Sequence, residues 1–355
     1  LDSVRPGIGV EISREALGVV GLVTPWNFPL AIPAWKIAPA LAYGNCVVFK
    51  PSELAPACAW AIAEILARAG LPAGVFNLVM GGGATGEALT RSPGLDAISF
   101  TGSQATGARV ASIAAERGVR VQLEMGGKNP LVVLDDADLA VAVNCAAQGA
   151  YYSTGQRCTA SSRLIVTEGI HDRFVAALVE RLGQLKVDDA LAPGTDIGPV
   201  VDARQLEKDL DYIRIAQEEG ACLAFGGTRL ERAKRGHYLA PTLFTETTAP
   251  MRINREEVFG PVASVIRAKD YDEALALAND TPFGLCAGIV TTSLKHAADF
   301  KRNAEVGMVM VNLPTAGVDY HVPFGGRKGS SHGPREQGAF AREFYTTVKT
   351  AYVLA

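Results

Sequence analysis

Short apolar runs of strand length alternate along the chain with stretches whose apolar residues recur at helical spacing. Residues 47–49 read as a strand, the alanine-rich 55–69 as a helix, 75–80 as a strand, the surroundings of Glu87 as a helix, and 97–100 as a strand. That alternation predicts successive βαβ units of a parallel sheet. After Pro130 the pattern restarts, with a strand over 131–134, a long helix over 139–151, a strand over 163–167 and a helix over 170–185. The fold class is therefore α/β, with a domain boundary near Gly126 and Gly127. The opening segment, 7–20, alternates like a hairpin, and 344–353 is also strand-like. Terminal strands of this kind pair across subunits or serve as ordinary edge strands.

Composition narrows the class. With 355 residues, 48% of them hydrophobic, the chain can bury a large core and build two domains. The formal charge of −3 comes from 34 basic and 37 acidic residues, mixed and without a basic run, which argues against a nucleic-acid partner. The most apolar early stretch, 30–49, is interrupted by Pro33, Lys36 and Pro39. It falls short of the roughly 20 clean residues of a membrane span. No membrane or secretory segment is read from the chain. Cys46, Cys58, Cys145, Cys158, Cys222 and Cys286 lie far apart, which suits a reducing cytoplasm rather than a disulfide framework. There is no Cys-x-x-Cys, no His-Glu-x-x-His and no clustering of the five histidines, so no metal site is expected.

Two places could hold a phosphate. Gly81, Gly83 and Gly86 follow the strand at 76–80 and formally match G-x-G-x-x-G, although three glycines also make an ordinary turn. After the next strand, Phe100-Thr101-Gly102-Ser103 leads through Thr106 and Gly107 into a helix whose free N-terminal amides would serve as well. Both point to a nucleotide. Among reactive groups, Cys158 lies in the small polar loop Ser153-Thr154-Gly155-Gln156-Arg157-Cys158-Thr159-Ala160-Ser161. The guanidinium of Arg157 beside it would favour the thiolate, whereas an isolated cysteine is often inert. Glu124 ends the apolar stretch 121–125 before Gly126-Gly127. It is either an outward residue of an alternating strand or a base facing a cleft. Pro25-Trp26-Asn27-Phe28-Pro29 either packs a corner or presents an amide to an oxyanion.

Taken together, Pro25-Trp26-Asn27-Phe28-Pro29, Lys50-Pro51-Ser52-Glu53, Phe100-Thr101-Gly102-Ser103, Leu123-Glu124-Met125-Gly126-Gly127-Lys128, Gly155-Gln156-Arg157-Cys158 and Glu256-Glu257-Val258-Phe259-Gly260-Pro261 resemble the aldehyde dehydrogenase superfamily, in the family's order. The resemblance covers essentially the whole chain and ends with Pro323-Phe324-Gly325-Gly326. It implies a Rossmann-like cofactor domain, an α/β catalytic domain and terminal oligomerisation strands. It also implies NAD(P)-dependent oxidation of an aldehyde to a carboxylate through a thioester. By the same resemblance Cys158 matches the nucleophile, Glu124 the general base, and Asn27 the side-chain half of an oxyanion hole whose other half is the Cys158 amide. Pro25 and Trp26 fall in the cofactor-binding loop. Phe100, Thr101, Gly102, Ser103 and Thr106 match the pyrophosphate site. Lys50 and Glu53 match the adenosine-ribose ligands, Gly83 and Gly86 the adenosine end, Glu257 the nicotinamide-ribose ligand and Phe259 the nicotinamide neighbour. Glu53 would accept from a ribose 2′-hydroxyl and repel a 2′-phosphate, so NAD is expected ahead of NADP.

Within the superfamily, residues 311–323 and 330–338 are similar to bacterial 2-oxoglutarate semialdehyde (2,5-dioxopentanoate) dehydrogenases. That substrate carries a carboxylate, so a cation should line its pocket; Arg157, the only basic residue of the nucleophile loop, either meets it or is an ordinary exposed loop arginine. The implied layout is an oligomerisation hairpin over 1–17, an NAD-binding domain over 18–126, a catalytic domain over 127–328 and an oligomerisation strand over 343–355. Family members carry a long stretch of chain before the Pro-Trp-Asn motif, so part of the cofactor domain is expected to be missing at the N-terminal side. The expected assembly is a cytoplasmic homo-oligomer, dimer or tetramer. A broad-specificity aldehyde dehydrogenase, a CoA-acylating dehydrogenase and a non-catalytic scaffold are the alternatives. Retention of both Cys158 and Glu124 speaks against the last two.

Overall fold

The structure is a computed structural model that describes residues 3–354. The chain divides into two compact units. One comprises the chain up to Met125 together with Asp319–Phe324 and the segment from His332 onward; the other comprises Gly126–Val318 and Gly325–Ser331.

The first unit holds β1 (Ile8–Ala16), β2 (Val19–Val23), α1 (Ala31–Ala42), β3 (Cys46–Lys50), α2 (Pro56–Arg68), β4 (Phe76–Leu78), α3 (Gly83–Arg91), β5 (Ala97–Gly102), α4 (Gln104–Glu116) and β6 (Arg120–Met125). Parallel pairing gives the order β4-β3-β2-β5-β6. The order reverses between β2 and β5, which makes that point the topological switch of a doubly wound sheet. Alternate strand residues pack on opposite faces. Val20, Leu22, Val47 and Phe49 meet Ile37 and Ala40 of α1, whereas Ile98, Phe100, Leu123 and Met125 meet Val110 and Ala114 of α4. Helix α4 comes so near β6 that a Cβ at Gly107 would lie 2.3 Å from the Met125 sulfur.

The second unit opens with β7 (Asn129–Val133), α5 (Leu139–Ala150), β8 (Ser161–Thr167), α6 (Glu168–Gly183), α7 (Ala203–Glu218) and β9 (Cys222–Phe225). It continues with a ribbon of β10 (Arg229–Leu230) and β11 (Tyr238–Leu239), then β12 (Thr242–Thr247), α8 (Arg252–Arg255), β13 (Val262–Ala268), α9 (Tyr271–Asn279), β14 (Cys286–Val290), α10 (Leu294–Asn303) and β15 (Met308–Val311). Its main sheet runs β15-β14-β7-β8-β13-β12-β9, parallel except for the edge strand β9. Leu131, Val133, Leu164 and Val166 face α5 and α6; Val132, Leu134 and Ile165 face α9 and α10. Strands buried on both faces explain the continuous apolar runs read from the sequence.

Beyond it lie β16 (Ser331–His332), α11 (Arg342–Tyr345) and β17 (Thr346–Leu354), with β16 at the outer edge of β6. A buried ion pair between Lys36 and Glu336, joined by Ser99, ties the C-terminal segment into the first unit. Among the described residues, the hairpin expected over 1–17 does not form. That stretch contributes the single strand β1, whose antiparallel partner is β17, from Ile8 opposite Leu354 to Ala16 opposite Thr346. The amides of Leu17 and Gly18 instead donate to the Asn45 side-chain Oδ1 at 2.8 and 3.1 Å, which turns the chain into the parallel sheet as β2. Residues 1, 2 and 355 of the expected terminal segments lie outside the described residues.

Candidate active site

In the first unit the candidate residues gather at the carboxyl ends of the parallel strands, where open α/β sheets bind ligands. Strand β2 runs into the loop of Pro25, Trp26 and Asn27, all half-buried, before α1 begins. Strand β5, on the other side of the switch point, ends in Phe100, Thr101 and Gly102. Ser103 then caps α4, its hydroxyl accepting from the Thr106 amide at 3.4 Å, and the first turn of α4 carries no acidic residue. Glu124 lies near the end of β6, opposite Thr101 in register, and is 2% exposed.

The other phosphate candidate differs in charge. Lys50, buried at the end of β3, donates to the Pro51 carbonyl at 2.7 Å and lies 3.6 Å from the Glu53 carboxylate. A Cβ on Gly82, just before α3, would fall 3.6 Å from the same carboxylate, and one on Gly86 would fall 3.6 Å from the Lys50 stem. Lys50, Glu53 and Gly86 thus form one cluster, in which Gly82 rather than the expected Gly83 meets the Glu53 carboxylate. A carboxylate beside the α3 N-terminus opposes a phosphate there but suits sugar hydroxyls, whereas the dipole at the start of α4 favours an anion.

In the second unit Cys158 follows a tight left-handed stretch, Ser153 (φ 52°), Thr154 (φ 60°) and Gly155 (φ 65°). Gly155 leaves no room for a side chain, since a Cβ would lie 2.1 Å from the Gly260 carbonyl oxygen. Surrounding bonds hold the loop: Thr154 donates to the Gly198 carbonyl at 3.2 Å and Gln156 accepts from the Val201 amide at 2.9 Å. Arg157 is half-buried and donates to the Ser153 hydroxyl at 2.8 Å; desolvation holds its guanidinium below the usual arginine range.

The adjacent acids Glu256 and Glu257 part company. Glu256 pairs with Arg252 at 2.9 Å and accepts from Tyr212 at 2.5 Å, contacts that hold its carboxyl below the ordinary range. Glu257 turns inward and accepts from the Gly127 amide at 2.9 Å, while burial pushes its carboxyl up. A Cβ on Gly126 would overlap the Glu257 carboxylate at 2.1 Å, so that approach requires glycine. Phe259 follows with φ 67°, a strained setting for an aromatic residue and of the kind that clusters at functional sites. Gly127, Gly155, Arg157, Glu257 and Phe259 line one small open cleft.

Sequence reading overlooked several residues behind these. Asn129, Lys128, Arg163 and Asp209 are all buried. Arg163 donates to the carbonyls of Lys128, Leu277 and Ala278 at 2.9, 2.8 and 3.0 Å, capping the last turn of α9. Burial brings the Lys128 amine down to about 7 and raises the Asp209 carboxyl to about 7. Only the place of Lys128 and Asn129 directly after Gly126-Gly127 hinted at them.

A family profile described as the aldehyde dehydrogenase family matches residues 2–351. The chain is 46% identical over 345 residues to the alpha-ketoglutaric semialdehyde dehydrogenase of Bacillus subtilis, covering 96% of this chain and 70% of that protein. It is 48% identical over 353 residues to the alpha-ketoglutarate semialdehyde dehydrogenase of Haloferax volcanii, covering 98% and 72%. Among solved structures, betaine aldehyde dehydrogenase from Staphylococcus aureus in complex with NAD+ superposes with a TM-score of 0.97 at 37% identity, covering 100% of this chain and 71% of that one.

Proposed function

The chain belongs to the aldehyde dehydrogenase family, is an NAD(P)-dependent oxidoreductase acting on aldehydes, and from that premise we propose that its substrate is 2-oxoglutarate semialdehyde. The names of the relatives from Bacillus subtilis and Haloferax volcanii support the substrate. So does Arg157, a cation on the nucleophile loop that would meet the distal carboxylate.

The Cys158 thiolate attacks the aldehyde carbon, forming the C–S bond and an alkoxide that the Cys158 amide and the Asn27 side chain hold. When bound, NAD would supply the hydride acceptor, and Cys158 would retain the acyl group as a thioester. Glu124 then takes a proton from water as that water attacks the thioester; the C–S bond breaks, the carboxylic acid leaves and the thiolate returns. For the cofactor, Gly102, Ser103 and Thr106 would receive the pyrophosphate. Lys50 and Glu53, beside Gly83 and Gly86, would take the adenosine ribose, and Glu257 and Phe259 the nicotinamide end, with Pro25, Trp26, Phe100 and Thr101 lining the path. Glu53 favours NAD over NADP.

The observation that carries this reading is the charge contrast between the two helix starts of the doubly wound sheet. Neither helix has an acid in its first turn, but a Cβ on Gly82 before α3 would fall 3.6 Å from the Glu53 carboxylate, itself 3.6 Å from the Lys50 amine. Together they match the pyrophosphate and ribose of a dinucleotide. The enzyme is read as cytoplasmic and as a homo-oligomer built through its terminal strands. Initial rates on 2-oxoglutarate semialdehyde, propanal and betaine aldehyde, each with NAD and NADP, test the proposal. The semialdehyde with NAD should lead propanal by about tenfold or more in kcat/KM, and Cys158→Ala should abolish turnover. A preference for NADP, or equal kcat/KM for semialdehyde and propanal, would overturn the corresponding part.

A further inference from the structure

We infer that Asn129 is a positioning residue for the reaction: its side-chain amide fixes the nucleophile loop so that the Cys158 backbone N–H points at the developing alkoxide. The inference rests on the reading of Cys158 as nucleophile and of its amide as an oxyanion donor.

Asn129 begins β7 and is 2% exposed. Its Nδ2 donates to the Cys158 carbonyl at 2.7 Å and to the Ala160 carbonyl at 3.0 Å. Its Oδ1 accepts from the amide of Cys286, the first residue of β14, at 3.2 Å. Both N–H donors of the amide are used and its oxygen is engaged. Between the two clamped carbonyls, that of Thr159 accepts from the Cys286 thiol at 3.6 Å, and the Arg157 carbonyl accepts from the Ala160 amide at 3.1 Å. Four successive carbonyls, 157 to 160, are thereby committed.

Peptide planarity transmits this to the chemistry. The unit joining Arg157 to Cys158 carries the Arg157 oxygen on one edge and the Cys158 N–H on the other, so orienting one orients both. The Arg157 oxygen is bound to Ala160, and Ala160 is anchored by Asn129. The segment just upstream, with Ser153 and Thr154 left-handed, holds its shape only under outside constraint. Glycine at 127 makes room for the amide, because a Cβ there would meet Asn129 Oδ1 at 2.7 Å and the Cys158 oxygen at 3.1 Å. Oxyanion donors work by being in place before charge develops.

Asn129→Asp keeps the shape and removes both N–H donors. In the intact chain we expect kcat to fall by about 30- to 100-fold, with KM for NAD within about twofold of wild type. Iodoacetamide mapped by mass spectrometry should still label Cys158 first and leave Cys286 unlabelled, because alkylation needs the thiolate but no oxyanion donor. A folded variant that turns over within about threefold of wild type overturns the inference. So does loss of turnover accompanied by rapid labelling of Cys286, which would mean that Asn129 merely holds the fold. If Asn129→Asp does not fold, Asn129→Ser, which retains one donor, is measured against the same criteria. Failure of the underlying reading looks different: wild type alkylated at Cys158 would then keep its turnover.

Discussion

At the scale of single residues, the side chains with the clearest sequence context were the easiest to read, and their neighbours decided the rest. Glu124 was ambiguous by parity, since Gln122 alternates with it, and the structure buries both. A buried carboxyl at the end of β6 suits the general base proposed here. Its task arises after hydride transfer, so Glu124→Gln should release about one NADH per site and then stall, because loss of a general base costs about 10²–10⁴-fold. Intact-protein mass spectrometry should show the acyl adduct on Cys158. A variant with neither burst nor adduct would mean that Glu124 also activates the thiol. Acceleration of wild type by free CoA, with an acyl-CoA product, would favour the acylating route. The pair Glu256 and Glu257 shows what one residue's context cannot supply. Adjacent and identical in type, they are told apart by Arg252 and Tyr212 on one side and the Gly127 amide on the other.

At the scale of elements, the βαβ periodicity placed most strands and helices, because strands buried on both faces and alanine-rich amphipathic helices leave strong patterns. Helix α7 carries a feature that pattern does not show. Asp209, on its buried face, accepts from Gln205 at 2.7 Å, while its other oxygen has no hydrogen-bond partner among the described residues. It lies against Gly260, whose Cβ would overlap the carboxyl at 2.2 Å. Desolvation raises its carboxyl to about 7. Because the folded value exceeds the unfolded one, the folded chain keeps a proton that the unfolded chain releases. Stability therefore falls as pH rises from about 4 to 7 and levels off above. The loss is on the order of 2–4 kcal/mol. Asp209→Asn should remove that slope, leaving Tm little changed at pH 4.5 and raised at pH 8. Equal Tm losses in variant and wild type between those pH values would clear Asp209 as the responsible group.

At the scale of the whole molecule, the ribbon of β1 and β17 stands apart from the larger sheets. It has only two strands, and Ile12, Val348, Tyr352 and Val353 on it are more than half exposed. A two-stranded ribbon is marginal in water, and apolar side chains along it gain by burial against a partner. Val348→Lys with Tyr352→Asp should therefore shift the proposed homo-oligomer toward monomer in sedimentation, and an unchanged sedimentation coefficient would remove the ribbon from the proposed interface. The sequence by itself determined the α/β class, the order of the βαβ units and the short motifs around Asn27, Glu124 and Cys158, because periodicity and local chemistry are written in neighbouring residues. Tertiary structure alone decided that β1 pairs with β17 rather than with β2, that Arg252 and Tyr212 hold Glu256 while the Gly127 amide holds Glu257, and that Asn129 holds the Cys158 loop. Each of these joins residues distant in the chain or distinguishes neighbours by what lies across from them. Such contacts arise only when packing brings separate elements together, and no local pattern encodes them.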